Sequence, residues 1–508
     1  MSRISFLFRS CIVFGAVFVF CSTAYSQQAK YSYRLTLQEV IDLAHDQSPN
    51  AIQAKHTFRS SYWEFVSYKA NFLPSLVFSG DTPSFSKRIE NIKVTNPDGT
   101  TSYVPSSEFS NTIYGRLSIN QNVPFTGGTF SINSDLQRVD RFSGSLGNRE
   151  STSYISTPIS VTYVQSLFGV NTFKWDKKIE PLKYEAAKRT YLTDMEGVSI
   201  QAIRLFFNLA SAQQKLETAK FNYHNNDTLY KISNGRYNIG TIGENDLLQS
   251  ELSFMNAQSV LNEAEYDLNS AKNRLRSFLG FNEQVDIEIV IPTEVPKIEL
   301  SLGQVLTLAK ENSPNILAYR QRLIEAERAV AEARATRGFQ ADLELSFGLN
   351  QRSEDFSGAY KSPDDMETAR IKLTIPILDW GRGKGRVKMA QSRQELEQAK
   401  VQQDEIDFEQ DVILRVQQFN MQDMQYKIAA KADTVSQQRY DVTKKRYLID
   451  KVTITDMNNA QGDRDTSTGK YVTELRNYWD YYYALRQLTL FDFIGNKPLD
   501  VDFEELVK

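Results

Sequence analysis

The sequence predicts an α+β chain built from two like halves, each a set of very long helices with β-strands at one end. Three observations carry this. In residues 369–400 a strand runs straight into a helix. Ile371, Leu373, Ile375 and Ile377 alternate with Arg370, Lys372 and Thr374, a period of two that puts one face in an apolar medium and the other in water. Residues 379–385 are a glycine-rich swivel, and a Gln-rich helical pattern then runs without proline to about residue 449. The same join recurs at 158–188, where ISVTYVQSLFG passes through KWDKK into a helix ending near residue 239. Next, LTLQEVIDLAHDQSPN at 35–50 aligns without a gap with LSLGQVLTLAKENSPN at 300–315, eight of sixteen positions being identical. Finally, Val198, Ala202, Leu205, Leu209, Ala212, Leu216 and Ala219 keep alternating spacings of four and three. So do Ala257, Leu261, Ala264, Leu268, Ala271, Leu275 and Phe278. These are the seams of antiparallel coiled-coil partners, and their alanines allow close packing.

Taken in order, residues 1–26 read as a secretory signal: Arg3 and Arg9, an apolar run at 11–21, and Ala24-Tyr25-Ser26 as a small-x-small cleavage site. Phe20 before Cys21 disfavours lipidation. Both cysteines fall in this segment, so disulfide and thiol chemistry are not expected of the mature chain. Residues 27–280 form the first half. A short helix at 35–46 is capped by Thr36 and stopped by Ser-Pro-Asn, and a second helix follows at 50–71. Alternating strands are expected at 73–80, 113–123, 129–139 and 158–168, the middle two joined by the tight turn Pro124-Phe125-Thr126-Gly127-Gly128. A long helix at 174–239 and a return helix at 244–279 complete this half. Residues 281–299 are a proline-bearing linker. Residues 300–490 form the second half. Its helices are expected at 300–311 and 315–337, its strands at 342–351 and 369–378, its long helix at 382–449 and its return helix at 453–490. Residues 491–508 are a tail. Ile316, Tyr319, Leu323, Ala326, Val330 and Ala333 repeat the coiled-coil spacing.

Each long helix would reach roughly 100 Å at 1.5 Å per residue. A return helix covers little more than half of that, and the helix after each Ser-Pro-Asn has the missing length. Each half is therefore expected to be a rod of one long helix beside two stacked shorter ones. The linker and the two short helices should gather at its middle.

The chain of 508 residues is too long for one compact core. Its net charge of −3 points to neither nucleic acid nor an acidic surface as partner, and pairs such as Lys177 and Lys178 read as solvated helix faces. No later apolar run reaches the length of a membrane helix, so an exported chain with half-apolar strands is either soluble or a β-barrel. No catalytic constellation is visible. His45, His56 and His224 lie on separate helices without metal-ligand spacing. Gly381, Gly383 and Gly385 lack the Lys-Ser/Thr of a phosphate loop. No enzyme activity and no cofactor are expected.

The turns joining the long and return helices carry the most specific signal. RYNIGTIGENDLLQSE from Arg236 and RYLIDKVTITDMNNAQ from Arg446 resemble the tip pattern of the TolC family of outer membrane efflux proteins. VPFTGG, QSLFG and IPILDWGRG resemble that family's strand-to-helix joins. The resemblance spans essentially the whole mature chain, with the motifs in the same order twice over. It implies an α+β membrane protein: a homotrimer whose strands close one outer-membrane β-barrel, continuous with a periplasmic coiled-coil barrel. Closure removes the sheet edges that lipid does not tolerate. The family pattern has four strands per chain, two from each half, and the hairpin strand at 129–139 departs from it.

The resemblance further implies a passive exit duct for an efflux or type I secretion system. Its partners would be a periplasmic adaptor, an inner-membrane pump of RND or ABC type, and outer-membrane lipid. The adaptor would dock on the tips, Gly240, Thr241, Ile242 and Gly243 with Asp450, Lys451, Val452 and Thr453. A gate is expected at the same end, with Tyr447 and Asp246 tying helix pairs inward, and Asp456 and Asn459 at the constriction. Asn459 stands where the family has a second pore acid, and Val452 replaces a basic residue of the closed lock. An aspartate at a helix start also suits the dipole and can cap it. For Asp456 the pore reading is preferred, because three copies about a threefold axis would concentrate negative charge. The competing reading is a periplasmic coiled-coil adaptor or scaffold with no membrane pore.

Overall fold

The computed structural model describes residues 31–143, 149–282, 285–292, 294–449 and 451–508. The expected signal segment 1–26 and the tip residue Asp450 lie outside the described residues. The first half holds β1 (Tyr31–Leu35), α1 (Leu37–Gln47), α2 (Pro49–Ala70), β2 (Ser75–Thr95), β3 (Thr101–Val123), β4 (Gly128–Ser143) and β5 (Arg149–Ser166). It continues with α3 (Thr172–Asn238), α4 (Glu244–Phe278) and β6 (Val285–Ile289). The second holds α5 (Leu302–Asn312), α6 (Pro314–Ala335), β7 (Gln340–Ser353), β8 (Asp364–Thr374), α7 (Arg382–Leu448) and α8 (Ile454–Thr489). Two short strands, β9 (Phe491–Asp492) and β10 (Lys497–Pro498), and the helix α9 (Phe503–Val507) close the chain.

α3 and α7 are each 67 residues long. Each has two shorter helices beside it: α2 and α4 along α3, α6 and α8 along α7. The coiled-coil seam explains the pairing. Val198, Ala202, Leu209, Ala212 and Ala219 of α3 are buried, as are Ala257, Ala264 and Leu275 of α4. Away from the strands the helices lie side by side in the order α4–α3–α8–α7; toward the strands the order is α2–α3–α6–α7.

The main core sits at mid-rod. Phe206 and Phe207 of α3, Phe419 of α7, and Tyr478 and Tyr482 of α8 meet Val40 of α1 and Val305 of α5 there. The linker joins them through a feature the sequence reading missed, a parallel ladder between β1 and β6 that sets Leu35 against Ile289 and buries Ile287. Arg486 of α8 reaches the buried Glu196 of α3 at 3.0 Å and clamps the two halves at this level. The tail also packs here: Phe503 lies 5.2 Å from the Phe58 ring, and Arg59 Nε donates to the Leu506 carbonyl at 2.6 Å.

All six long strands form one antiparallel sheet in the order β2-β3-β4-β5-β7-β8. This answers the strand-count question. The hairpin strand at 129–139 is an interior member of the sheet, and the chain contributes six strands where the family pattern has four. β2 and β3 are also far longer than expected, because residues 81–112, which show little apolar alternation, pair from Asp81↔Tyr114 to Thr95↔Thr101. β8 stops at Thr374, short of the expected residue 378; Pro376 has no N–H for the ladder. The swivel then turns the chain. Gly381 adopts φ +82°, which glycine reaches without a Cβ penalty. Asp379 accepts the Gly381 and Gly383 amides at 2.9 and 2.7 Å, starting α7. Those two bonds hold its carboxyl below the ordinary value.

Candidate functional site: sheet faces, open edges and helical tips

The register gives the sheet two unlike faces. Leu76 and Phe78 of β2 stand opposite Ile119 and Leu117 of β3. Across the strands the same face carries Ile132 of β4, Val161 of β5, Phe347 and Leu345 of β7, and Ile371 of β8. Several of these, Phe78, Phe347 and Ile371 among them, are exposed in the chain. The opposite face is mainly polar. Arg116 pairs with Asp135, which also accepts the Tyr114 hydroxyl at 3.2 Å. Thr162 and Ser346 share a hydrogen bond of 3.1 Å, and Arg370 meets Glu344 at 3.4 Å. One face is thus suited to lipid and the other to water.

The lateral edges coincide at every level. β2, α2 and α4 lie along one side; β8 and α7 lie along the other. Both helical edges carry a second apolar stripe on the side away from their buried seam. On α7, Leu414, Met421, Ile428, Val435, Val442 and then Ile449 just past its end recur every seven residues and are exposed. On α4, Leu248, Leu252 and Met255 are exposed at spacings of four and three.

The two tips close alike. Thr241 and Lys451 each donate a backbone N–H to the carbonyl five residues back, Arg236 at 3.0 Å and Arg446 at 2.9 Å. Gly240 adopts φ +77°. Gly240, Thr241, Gly243, Lys451 and Thr453 are exposed, and Ile242 and Val452 are half-buried. Thr453 caps α8: its hydroxyl accepts from the Asp456 amide at 3.2 Å, while the Asp456 carboxylate accepts the Thr453 hydroxyl at 2.7 Å and amide at 3.0 Å. Those bonds lower the Asp456 carboxyl from its ordinary value. Asn459 is exposed one turn further along. Asp246, in the first turn of α4, is exposed, and the N-cap Gly243 gives no side-chain cap bond. So Asp456, the residue assigned to the pore, is the capping acid, and Asp246 is not shown in that role.

Tyr447 is buried with Leu229, Tyr440, Ile454 and Met457, and its hydroxyl lies 3.4 Å from Ser233 Oγ on α3. The contact joins the α3–α4 pair to the α7–α8 pair within one chain. Among the described residues no hydrogen bond joins Tyr447 to Asp246. The sequence reading missed a larger polar link between the same pairs. Arg464, 5% exposed, donates to Asn222 at 2.7 Å, pairs with Asp465 and stacks over Tyr440 at 4.4 Å. Asn225 donates to the Tyr440 hydroxyl at 3.2 Å and accepts from Lys444 at 2.7 Å. Burial pushes the Tyr440 hydroxyl up to about 12, so it stays a donor at neutral pH. The available signal was the run of asparagines at 222, 225 and 226 on an otherwise apolar seam.

Among the described residues no cluster of His, Cys, Asp or Glu could hold a metal ion, and no helix is long and apolar enough to cross a membrane.

A two-faced sheet continued by a wall of paired long helices is the architecture of an outer-membrane channel. The family described as outer membrane efflux protein matches residues 40–281 and 305–489, and the chain belongs to it, that is, to the TolC-type outer membrane factors. Similar curated proteins include the probable outer membrane lipoprotein SilC of Salmonella typhimurium, 25% identical over 65% of this chain and 68% of its own length. The cation efflux system protein CusC of Escherichia coli K12 is 24% identical over 50% of this chain; the match spans 55%, about half, of CusC. Among solved structures, the Campylobacter jejuni CmeC outer membrane channel superposes with a TM-score of 0.62 at 17% identity, covering 96% of this chain and 94% of CmeC. The open state of the Neisseria gonorrhoeae MtrE channel gives 0.60 at 16%, covering 92% and 91%. The chain is an outer membrane protein with a periplasmic extension, in a family of efflux channels rather than enzymes.

Proposed function

We propose that copies of this chain close side by side into a ring of three. The six-stranded sheets would form a transmembrane barrel, and the helices a periplasmic cylinder continuous with it. The observation that carries this reading is the coincidence of open edges: sheet, upper helices and lower helices all end at the same two sides. A sheet edge leaves N–H and C=O groups unpaired, at a cost of several kcal/mol each in lipid. The exposed stripes on α7 and α4 have the heptad spacing needed to pack on one another. Joining unlike edges is a head-to-tail contact, which closes into a ring when the rotation allows.

The ring is a passive exit duct. A periplasmic adaptor docks on the tips around Gly240–Gly243 and 450–453, and an inner-membrane pump of RND or ABC type supplies the energy. The cargo is small molecules, cations of the kind named for CusC, metal ions among them, or an unfolded polypeptide. The tips hold the gate, with Asp456 and Asn459 facing the constriction and Tyr447 and Asp246 among the residues that keep helix pairs closed. Opening is a shift of pairs between two packings, biased by the adaptor. A periplasmic scaffold would leave the apolar sheet face without purpose. The test is purification from outer membranes in detergent, with mass determination and conductance in planar bilayers. Trimers with discrete conductance are expected. A monomer extracted without detergent would refute the duct.

A further inference from the structure

The β2–β3 hairpin outruns the sheet. Pairing of β3 with β4 ends at Glu108↔Ser143, while the β2–β3 ladder continues to Thr95↔Thr101. Beyond that point, among the described residues, two strands stand alone. A two-stranded ribbon is marginal by itself in water, and this one leaves Ile89 and Tyr103 77% and 69% exposed. Its free side is β2, an outer edge of the whole sheet. The edge that would meet it in a ring is β8 of the next copy. β2 has 21 residues and β8 has 11, so at 3.3 Å per residue β2 overreaches by roughly 30 Å. The chain that stands beside the overhang is the segment leading into β8.

The two sides are complementary in charge and face. Lys87 pairs with Phe109 and Lys93 with Tyr103, which sets both lysines on the face of Ile113, Leu117 and Ile119. Among the described residues neither lysine has an acidic partner in its own chain. The facing segment carries Glu354, Asp355, Asp364 and Asp365 against the single Lys361. Asp365 pairs with Leu349 and lies on that same face, whereas Asp364 pairs with Asn350 and lies on the other. The segment is built to hold a shape: Asp355 accepts the Gly358 amide at 2.8 Å, and the Ser156 hydroxyl donates to the carbonyl of the buried Ala359. It leaves Phe356 and Tyr360 exposed.

We infer that the β2–β3 ribbon of one copy clasps residues 354–365 of the next, setting Lys87 and Lys93 against Asp365 and the loop acids Glu354 and Asp355, and Phe85 and Ile89 against Phe356 and Tyr360. The clasp rests on the ring reading and adds an intersubunit contact at the end of the barrel remote from the helices.

The experiment uses the full chain in outer membranes, with two cysteine pairs and a short thiol crosslinker. Lys87→Cys with Asp365→Cys reports the clasp; Leu248→Cys with Val442→Cys reports the helical edges. Intersubunit bands up to the trimer are expected from both. Bands from the helical pair alone would overturn the clasp and leave the ring standing. Bands from neither would mean that the ring reading fails, and the clasp with it. In addition, Lys87→Glu with Lys93→Glu should cut the SDS-resistant trimer several-fold on warming. Adding Glu354→Lys and Asp365→Lys should restore it. A quadruple variant no better than the double would overturn the charge pairing.

Discussion

At the residue scale, the Asp456 carboxylate caps a helix and is also the residue proposed to line the pore. Its bonds from Thr453 fix the first turn of α8 while its charge stays exposed at the tip. The two roles separate by substitution. Asp456→Asn keeps an oxygen for Thr453 but removes the charge, so reversal potentials in planar bilayers should show weaker cation selectivity. Unchanged selectivity would remove Asp456 from the pore lining. Thr453→Ala removes the cap at about 1 kcal/mol and should raise amide exchange at residues 454–457 while leaving selectivity alone. The pH dependence follows from the sign of the shift. The folded carboxyl lies below its ordinary value near 3.9. Its contribution is therefore complete above that value and is lost as pH falls through the lowered folded one. Tip protection should be flat from neutral pH down to the ordinary carboxylate range and decline only in stronger acid.

At the element scale, the strands place Leu345 in the interior of the sheet, between Tyr163 and Ala369. Leu373 lies near the end that leads into α7, and Ile375 lies beyond β8 altogether. Arginine on a lipid face costs about 2–4 kcal/mol at the bilayer midplane and less toward the interface. Leu345→Arg should therefore reduce heat-modifiable, folded barrel more than Leu373→Arg, with Ser346→Arg on the polar face milder than either. Equal losses from Leu345→Arg and Ser346→Arg would contradict the facing of β7.

At the scale of the whole molecule, the exposed stripes and the buried polar link make opposite demands. The stripes should hold copies together, and the link should hold each copy's helix pairs in one packing. Val435→Asp with Val442→Asp puts charge on the α7 stripe and should shift mass in detergent from trimer toward monomer; an unchanged trimer would place the interface elsewhere. Arg464→Ala removes the bond to Asn222 that joins the two pairs and the pairing that holds Asp465 beside it. It should raise single-channel conductance more than Tyr447→Phe, which loses only the 3.4 Å contact with Ser233. Equal conductance in all three proteins would refute these contacts as a latch.

Much of this molecule was legible in its residues because its signals are periodic. The 3.6-residue and two-residue repeats depend only on neighbours along the chain. Thus α3 and α7 begin and end within about two residues of the bounds read from them, and Ile371 and Leu373 share the face expected. The polar ribbon was not legible. Its Ser, Thr and Asn residues show no apolar alternation, because no described residue covers either face of its outer part, and Asn96-Pro97-Asp98-Gly99 was its main signal. Nor was the β1–β6 ladder, a parallel pairing between segments some 250 residues apart. At the tips, chain order put Tyr447, Asp246 and Asp456 near the helical turns. The Thr453–Asp456 capping box is local and follows from a spacing of three, whereas only the folded chain decided that Tyr447 turns inward to Ser233 and that Arg464 meets Asn222. Those outcomes depend on the azimuth of one helix against another, a property of the packed bundle that no spacing within a single helix contains.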